Sequence, residues 1–132
     1  MVSVKVEHEG KLRTRCVLNG QEILTDAPKE VRGLGEMFSP TDLLAASLGS
    51  CILTMMALFA EKLKVDFSGT SLVVEKEMTP RRVTKIKVVV KCPHRFDPEI
   101  TKRLQEAAEG CPVHHSLHPD VQQELVFHWG EM

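Results

Sequence analysis

The sequence contains no tyrosine, one tryptophan and five phenylalanines among 132 residues, so aromatic side chains make up only 5%. A platform on which nucleic-acid bases could stack is therefore not expected. Neither sign of charge is in excess. Seventeen Lys and Arg stand against 18 Asp and Glu, the formal net charge is −1, and there is no long basic run or acidic tail. This argues against nucleic acid or an anionic membrane surface as a partner. None of the four cysteines, Cys16, Cys51, Cys92 and Cys111, lies two to four residues from another, the spacing usual in structural zinc sites. The first residues, Met1–Val6, alternate apolar and polar side chains and lack the basic start and apolar run of a signal peptide. The expectation is a cytoplasmic protein, whose cysteines stay reduced and serve as core, metal or redox residues before structural disulfides. No internal repeat or low-complexity segment is present.

What is present fits one globular domain over residues 1–132. Hydrophobic residues are 42% and charged residues 27%, close to ordinary usage. Val2, Val4 and Val6 alternate with polar residues and predict a half-buried strand. Glu9-Gly10-Lys11 reads as a turn. Beyond it Leu12, Thr14, Cys16 and Leu18 share one strand face, and Arg13, Arg15 and Val17 share the other. Asn19-Gly20 signals a tight turn into a returning strand, Gln21–Thr25. Residues 26–38 contain Pro and Gly and read as a loop. Strands follow at Leu72–Met78 and Val83–Cys92, joined by Thr79-Pro80-Arg81-Arg82. Asp97-Pro98 starts an amphipathic helix ending at Gly110, and residues 121–129 form a last strand. The order β-β-β-α-β-β-α-β is that of an α+β domain.

The most informative element is the first helix. Ser39 can cap it, Pro40 suits its first position, and Asp42 sits where a carboxylate reaches back to the cap. It should run to about Lys62. From Leu43 to Ala60 the chain reads LLAASLGSCILTMMALFA, with no charge. That is long enough to cross a membrane. It is, however, a lone mid-chain segment between amphipathic strands, rich in Ala, Ser and Gly and short of interfacial aromatics, so burial inside protein is the expectation. Such a helix spans about 30 Å, whereas a domain of this size has a radius of gyration of about 14 Å. One subunit can hardly surround it, which points to an intimate homodimer.

Cys51 lies in the middle of this helix, where a small core residue is the plain alternative to a reactive thiol. The helix start is too distant for its dipole to ionise Cys51, so a reactive thiolate would need a nearby cation. Cys111 precedes Pro112 just past a helix end, in a turn where a thiol can be reached and can move. Cys16 reads as core and Cys92 as structural. Arg13 or Arg15 could swing over the Cys51 thiol, and Arg32 and Glu36 lie in a loop placed to line a site, with solvated strand and loop positions as the plain reading. Thr41 and Asp42 read as helix-start residues. Cys92, His94 and Cys111 with a further His (His114, His115 or His118) form an alternative zinc scaffold, weakened by spacing that matches no common pattern. A further alternative is a non-enzymatic dimer holding a small apolar ligand between its central helices.

SPTDLLAASLGSC at Ser39–Cys51 resembles the first cysteine motif of the OsmC/Ohr family, the osmotically inducible and organic hydroperoxide resistance proteins. Cys111-Pro112-Val113 resembles the second, and TDAP at Thr25–Pro28 and the order of elements also match. The resemblance covers nearly the whole chain. It implies an intertwined homodimer with two long buried central helices wrapped by sheets, and sites at the subunit interface. It implies that Cys51 is the peroxidatic and Cys111 the resolving cysteine of an antioxidant thiol peroxidase active in oxidative stress, with no cofactor or metal. Members of the family reduce organic hydroperoxides, some reduce hydrogen peroxide, and they use dithiol donors such as dihydrolipoyl groups. Peroxide-reducing relatives resemble a pattern with Glu at the third motif position, paired to the catalytic Arg. Here that position is Thr41, with Asp42 next to it. Arg13 is the favoured thiolate partner, with Asp42 or Glu36 orienting it, and Arg15 or Arg32 as alternatives.

Overall fold

The computed structural model describes residues 1–131. The chain divides into two compact units, residues 1–44 and residues from 45 on.

The first unit is an antiparallel meander of β1 (Lys5–His8), β2 (Thr14–Leu18) and β3 (Gln21–Thr25), in that order. Asn19 and Gly20, with φ of 49° and 79°, turn β2 into β3, the left-handed pair that a two-residue hairpin requires. The first strand starts later than its valine alternation predicts. Lys5 is the first paired residue, opposite Val17; continued in that register, Val2 would fall opposite Gly20 in the turn, and Val4 opposite Leu18, the last residue of β2. Cys16 sits between Val6 and Ile23 across the sheet. Those neighbours are 59% and 51% exposed, so Cys16 is half-buried rather than the core residue expected. The loop after β3 contains a 3-10 turn, Lys29–Val31, and returns to bridge Thr25 with Phe38. Gly33 is required there: a Cβ would lie 1.8 Å from the Ala27 carbonyl oxygen.

The long helix α1 (Pro40–Leu63) begins in this unit with the expected capping box. The Ser39 N–H donates to Asp42 Oδ2 at 2.9 Å and the Asp42 N–H donates to Ser39 Oγ at 3.1 Å, satisfying two donors that a helix start leaves open.

The second unit holds the rest of α1, then β4 (Ser71–Met78), β5 (Val83–Cys92), α2 (Pro98–Glu109), a short α3 (Pro112–Ser116) and β6 (Gln122–Trp129). β5 pairs antiparallel with β4 and parallel with β6. A parallel neighbour needs a crossover, and α2 and α3 supply it. Val83, Ile86, Val88, Val90 and Cys92 of β5 are buried. They form the core with Leu48, Ile52 and Met56 of α1 and Leu104, Ala107 and Ala108 of α2. Each of the large residues contributes about 1.5–3 kcal/mol by leaving water. Gly49 brings α1 close to β4: a Cβ there would lie 2.8 Å from both Leu72 Cδ1 and Val74 Cγ2.

One further feature differs from the sequence reading. The segment after Cys111 is helical where only a turn was expected, because five residues are too few to show a helical period. Within the chain, α1 buries one stripe, Ala45, Leu48, Gly49, Ile52, Met56 and Ala60, while Ser47, Ser50, Thr54, Ala57 and Leu58 face outward. By length and composition α1 could cross a membrane, with mean hydropathy of 2.1 over its most apolar stretch, of which 33% is buried.

Candidate active site

Cys51 lies between Leu48 and Met56 along α1, on the flank of the buried stripe, and is half-buried. Cys111 follows the end of α2 and caps α3. Its sulfur accepts from the His114 N–H at 3.3 Å, and the side chain is fully buried. The burial pattern thus reverses the expectation: the helix cysteine is the more open one and the turn cysteine is closed. The two side chains meet. Cys51 is near enough to raise the pKa of the Cys111 thiol, and both cysteines are free. Burial pushes the Cys111 thiol above its ordinary range, and the neighbouring Cys51 pushes it the same way, against opposite pulls from the His114 and Val113 N–H groups. A buried thiol beside a second sulfur keeps its proton. The pair is therefore asymmetric: Cys111 is fully buried with a raised pKa and Cys51 is half-buried. An open groove of about 500 Å³ adjoins it, lined by Met55, Phe59, Arg103, Glu106, Ala107 and Gly110.

The remaining candidates lie in the first unit. Arg13 does not share a strand with Arg15. It stands one residue before β2 and closes the turn, with its N–H on the Gly10 carbonyl at 3.0 Å and its carbonyl accepting from the Glu9 N–H at 2.9 Å. Gly10 and Lys11, with φ of 96° and 51°, make that turn. The two arginines accordingly reach different carboxylates. Arg13 pairs with Glu36 and its Nε lies 3.7 Å from Asp26 Oδ2. Arg15 is engaged by Glu7, Glu9 and Glu22 at 3.0, 2.7 and 2.6 Å, and Glu22 in particular raises its pKa. Arg32 is exposed in the loop, in the left-handed region with φ of 71°. Thr41 Oγ1 lies 3.4 Å from Ser39 Oγ, and Asp42 serves in the capping box.

Asp26 is a candidate that sequence reasoning missed, although it stands inside the TDAP motif. It is 2% exposed. Its carboxylate accepts from the Ala27 N–H at 2.8 Å and the Glu36 N–H at 3.3 Å, which ties the loop to the arginine. Gln123, which binds His114, gave no signal, because a glutamine at an alternating strand position reads as solvated.

The zinc scaffold is not assembled. Among the described residues no three His, Cys, Asp or Glu side chains converge as ligands. Cys92 is fully buried, His94 Nε2 binds the Ser68 carbonyl at 2.8 Å, His114 binds Gln123, and His118 Nδ1 accepts from the Asp120 N–H at 3.0 Å. Each is committed locally, so the histidines diverge.

Residues 33–126 match the model of the OsmC-like protein family. No curated protein sequence matches the chain. Among solved structures, a protein from Psychrobacter arcticus 273-4 named for osmotic stress induction and a detoxification response is 40% identical, with a TM-score of 0.92 over 97% of this chain and 96% of that one. An OsmC-like protein from Mycoplasma pneumoniae has a TM-score of 0.82 at 15% identity over 98% and 96% of the two chains. An organic hydroperoxide resistance protein from Elizabethkingia anophelis has a TM-score of 0.73 at 15% identity over 98% and 97%. With its two cysteine motifs in the expected elements and the family model covering more than half its length, this chain belongs to the OsmC-like protein family.

Proposed function

We propose that the protein is a thiol peroxidase that reduces organic hydroperoxides through Cys51 and Cys111, working as a single-domain cytoplasmic homodimer with a dithiol donor. The carrying observation is the asymmetric pair: a half-buried Cys51 against a fully buried Cys111 that keeps its proton. The Cys51 thiolate attacks the distal peroxide oxygen. The O–O bond breaks, the alkoxide takes a proton and leaves as an alcohol, and Cys51 becomes a sulfenic acid. Cys111 then attacks that sulfur and the hydroxyl departs as water with the Cys111 proton, leaving a Cys51–Cys111 disulfide. A dithiol, such as a dihydrolipoyl group, reduces it by exchange and is itself oxidised to a disulfide. The reading agrees with the names of relatives of this fold, which include organic hydroperoxide resistance proteins.

Arg13 is the proposed cation for the Cys51 thiolate, oriented by Glu36 and Asp26. These two carboxylates take the part for which Thr41 has no charge. Met55, one helical turn after Cys51, and Gly110, next to Cys111, line the adjoining groove. An organic group on the peroxide would meet Met55, Phe59 and Ala107 there, alongside Arg103 and Glu106, which favours organic hydroperoxides over hydrogen peroxide. The proposed homodimer is supported by the outward side of α1 and by the exposed apolar face of the first sheet, where Val6 and Ile23 flank Cys16.

The test is steady-state reduction of cumene hydroperoxide with dihydrolipoamide. Cys51→Ser should be inactive, and Cys111→Ser should react once and then stop. Full turnover in Cys111→Ser would remove the resolving role.

A further inference from the structure

Three hydrogen bonds link β6 to the Cys111 sulfur through His114. The His114 N–H donates to Cys111 Sγ at 3.3 Å. The His114 carbonyl accepts from Gln123 Nε2 at 3.1 Å. The His114 ring meets the same amide from the other side, Nδ1 against Gln123 Oε1. One glutamine thus grips, at both ends of its amide, the residue whose backbone N–H holds the cysteine.

The direction of this grip follows from chemistry. A backbone carbonyl only accepts, so the Gln123 NH₂ must face it. Turning the amide over would set two acceptor oxygens against each other. The Gln123 oxygen therefore faces the ring, and His114 carries its proton on Nδ1. Gln123 and His114 are both half-buried, where an amide with both ends matched resists exchange with water.

Oxidation changes one link of the chain. When Cys111 enters a disulfide, its sulfur becomes a poorer acceptor and the His114 N–H bond weakens. Five residues of α3 cannot hold themselves as a helix. The two bonds from Gln123 involve neither sulfur and persist in both redox states.

We propose that Gln123 is a positioning residue for the resolving step, holding α3 so that the Cys111 sulfur stays against Cys51 while the disulfide forms. This rests on the reading of Cys111 as the resolving cysteine. The step it supports is Cys51–SOH plus Cys111–SH giving the disulfide and water. The competing step is Cys51–SOH plus a second hydroperoxide giving Cys51 sulfinic acid and an alcohol. Slower resolution shifts flux to the second.

The experiment compares wild type, Gln123→Met, which keeps the length and loses both hydrogen bonds, and Gln122→Met, the exposed neighbour on β6. Single-turnover oxidation with cumene hydroperoxide is followed by dimedone trapping of the sulfenic acid and by peptide mass spectrometry. The same three proteins are also oxidised with diamide, which forms disulfides without peroxide. Gln123→Met should oxidise Cys51 at the wild-type rate, form the disulfide about tenfold more slowly, the factor that corresponds to about one hydrogen bond of positioning, and accumulate trapped sulfenic acid and sulfinic acid. Its diamide-driven disulfide should slow as well, and Gln122→Met should match wild type throughout. Equal disulfide rates in Gln123→Met and wild type under both oxidants overturn the proposal and leave the peroxidase reading intact. Equal slowing of Cys51 oxidation and of disulfide formation also overturns it, as a general loss of fold. If peroxide yields no disulfide in wild type while diamide does, and does so more slowly in Gln123→Met, the peroxidase reading and with it the resolving role fall, and only the positioning of Cys111 towards Cys51 by Gln123 stands.

Discussion

Asp26 holds Arg13 from a buried position: its Oδ2 lies 3.7 Å from Arg13 Nε while the carboxylate accepts the Ala27 and Glu36 N–H groups. One carboxylate thereby fixes both the arginine and the loop that carries Glu36. Asp26→Ala leaves two backbone donors without their acceptor and Arg13 with Glu36 alone, at a cost of about 1–3 kcal/mol. Urea denaturation measures this. An unchanged midpoint would show that water replaces the carboxylate freely. Glu36→Gln, at a more exposed residue, should cost no more than about 1 kcal/mol.

The proposed roles separate the two arginines. Arg13→Ala should lower kcat/KM for cumene hydroperoxide by about 10²-fold, typical of removing one charge-stabilising donor from a reacting centre. Arg13→Lys should not restore it, because a point charge does not reproduce a guanidinium fork. Arg15→Ala should retain wild-type kcat/KM, since Arg15 is engaged by Glu7, Glu9 and Glu22. Equal losses in the two alanine variants would contradict the assignment of Arg13.

The raised pKa of Cys111 has a consequence for stability. Above about pH 8.5, the ordinary thiol range, the unfolded chain gives up this proton while the folded chain keeps it. The folded state then binds more protons, so this contribution is complete below that range and is lost as pH rises through the folded value. Thermal unfolding from pH 7 to 10 should show a steeper alkaline decline in wild type than in Cys111→Ala. In the reduced protein at pH 7.5, iodoacetamide should modify Cys51 before Cys111. Faster labelling of Cys111 would reverse the proposed roles.

Gly49→Ala tests how tightly α1 lies on the sheet. Alanine is the better helix former by about 1 kcal/mol, yet its Cβ would meet Leu72 and Val74 at 2.8 Å. Such overpacking costs about 1–3 kcal/mol. The net outcome expected is a lower Tm, by circular dichroism. A higher Tm would show that those side chains move aside at little cost.

Much of the architecture was legible because local chemistry and tertiary structure agree. Asn19-Gly20, the Ser39–Asp42 cap and Asp97-Pro98 each mark a boundary that the structure keeps. The alternation in Val83–Cys92 corresponds to a strand with one buried face. Illegible features depended on partners distant in sequence or on segments too short to show a period. The Val2 and Val4 alternation promised a strand from the first residues, but β1 starts at Lys5, and in its register Val2 would fall opposite the turn at Gly20. Arg13 and Arg15 looked equivalent until the turn at Gly10 and Lys11 separated them. Cys111 looked open because the sequence does not show what covers a turn. α3 carries no periodic signal, and its N-cap is a cysteine rather than a residue of the usual capping set. Asp26 and Gln123 act through backbone groups 10 and 9 residues away, which no local pattern encodes.

The central claim is that Cys51 and Cys111 form a dedicated redox pair, and the most direct measurement is cysteine-resolved mass spectrometry of the reduced protein after one equivalent of cumene hydroperoxide. The account predicts a rapid Cys51–Cys111 disulfide, with Cys16 and Cys92 left as free thiols. Oxidation of all four cysteines at similar slow rates would contradict it and leave the fold without the chemistry.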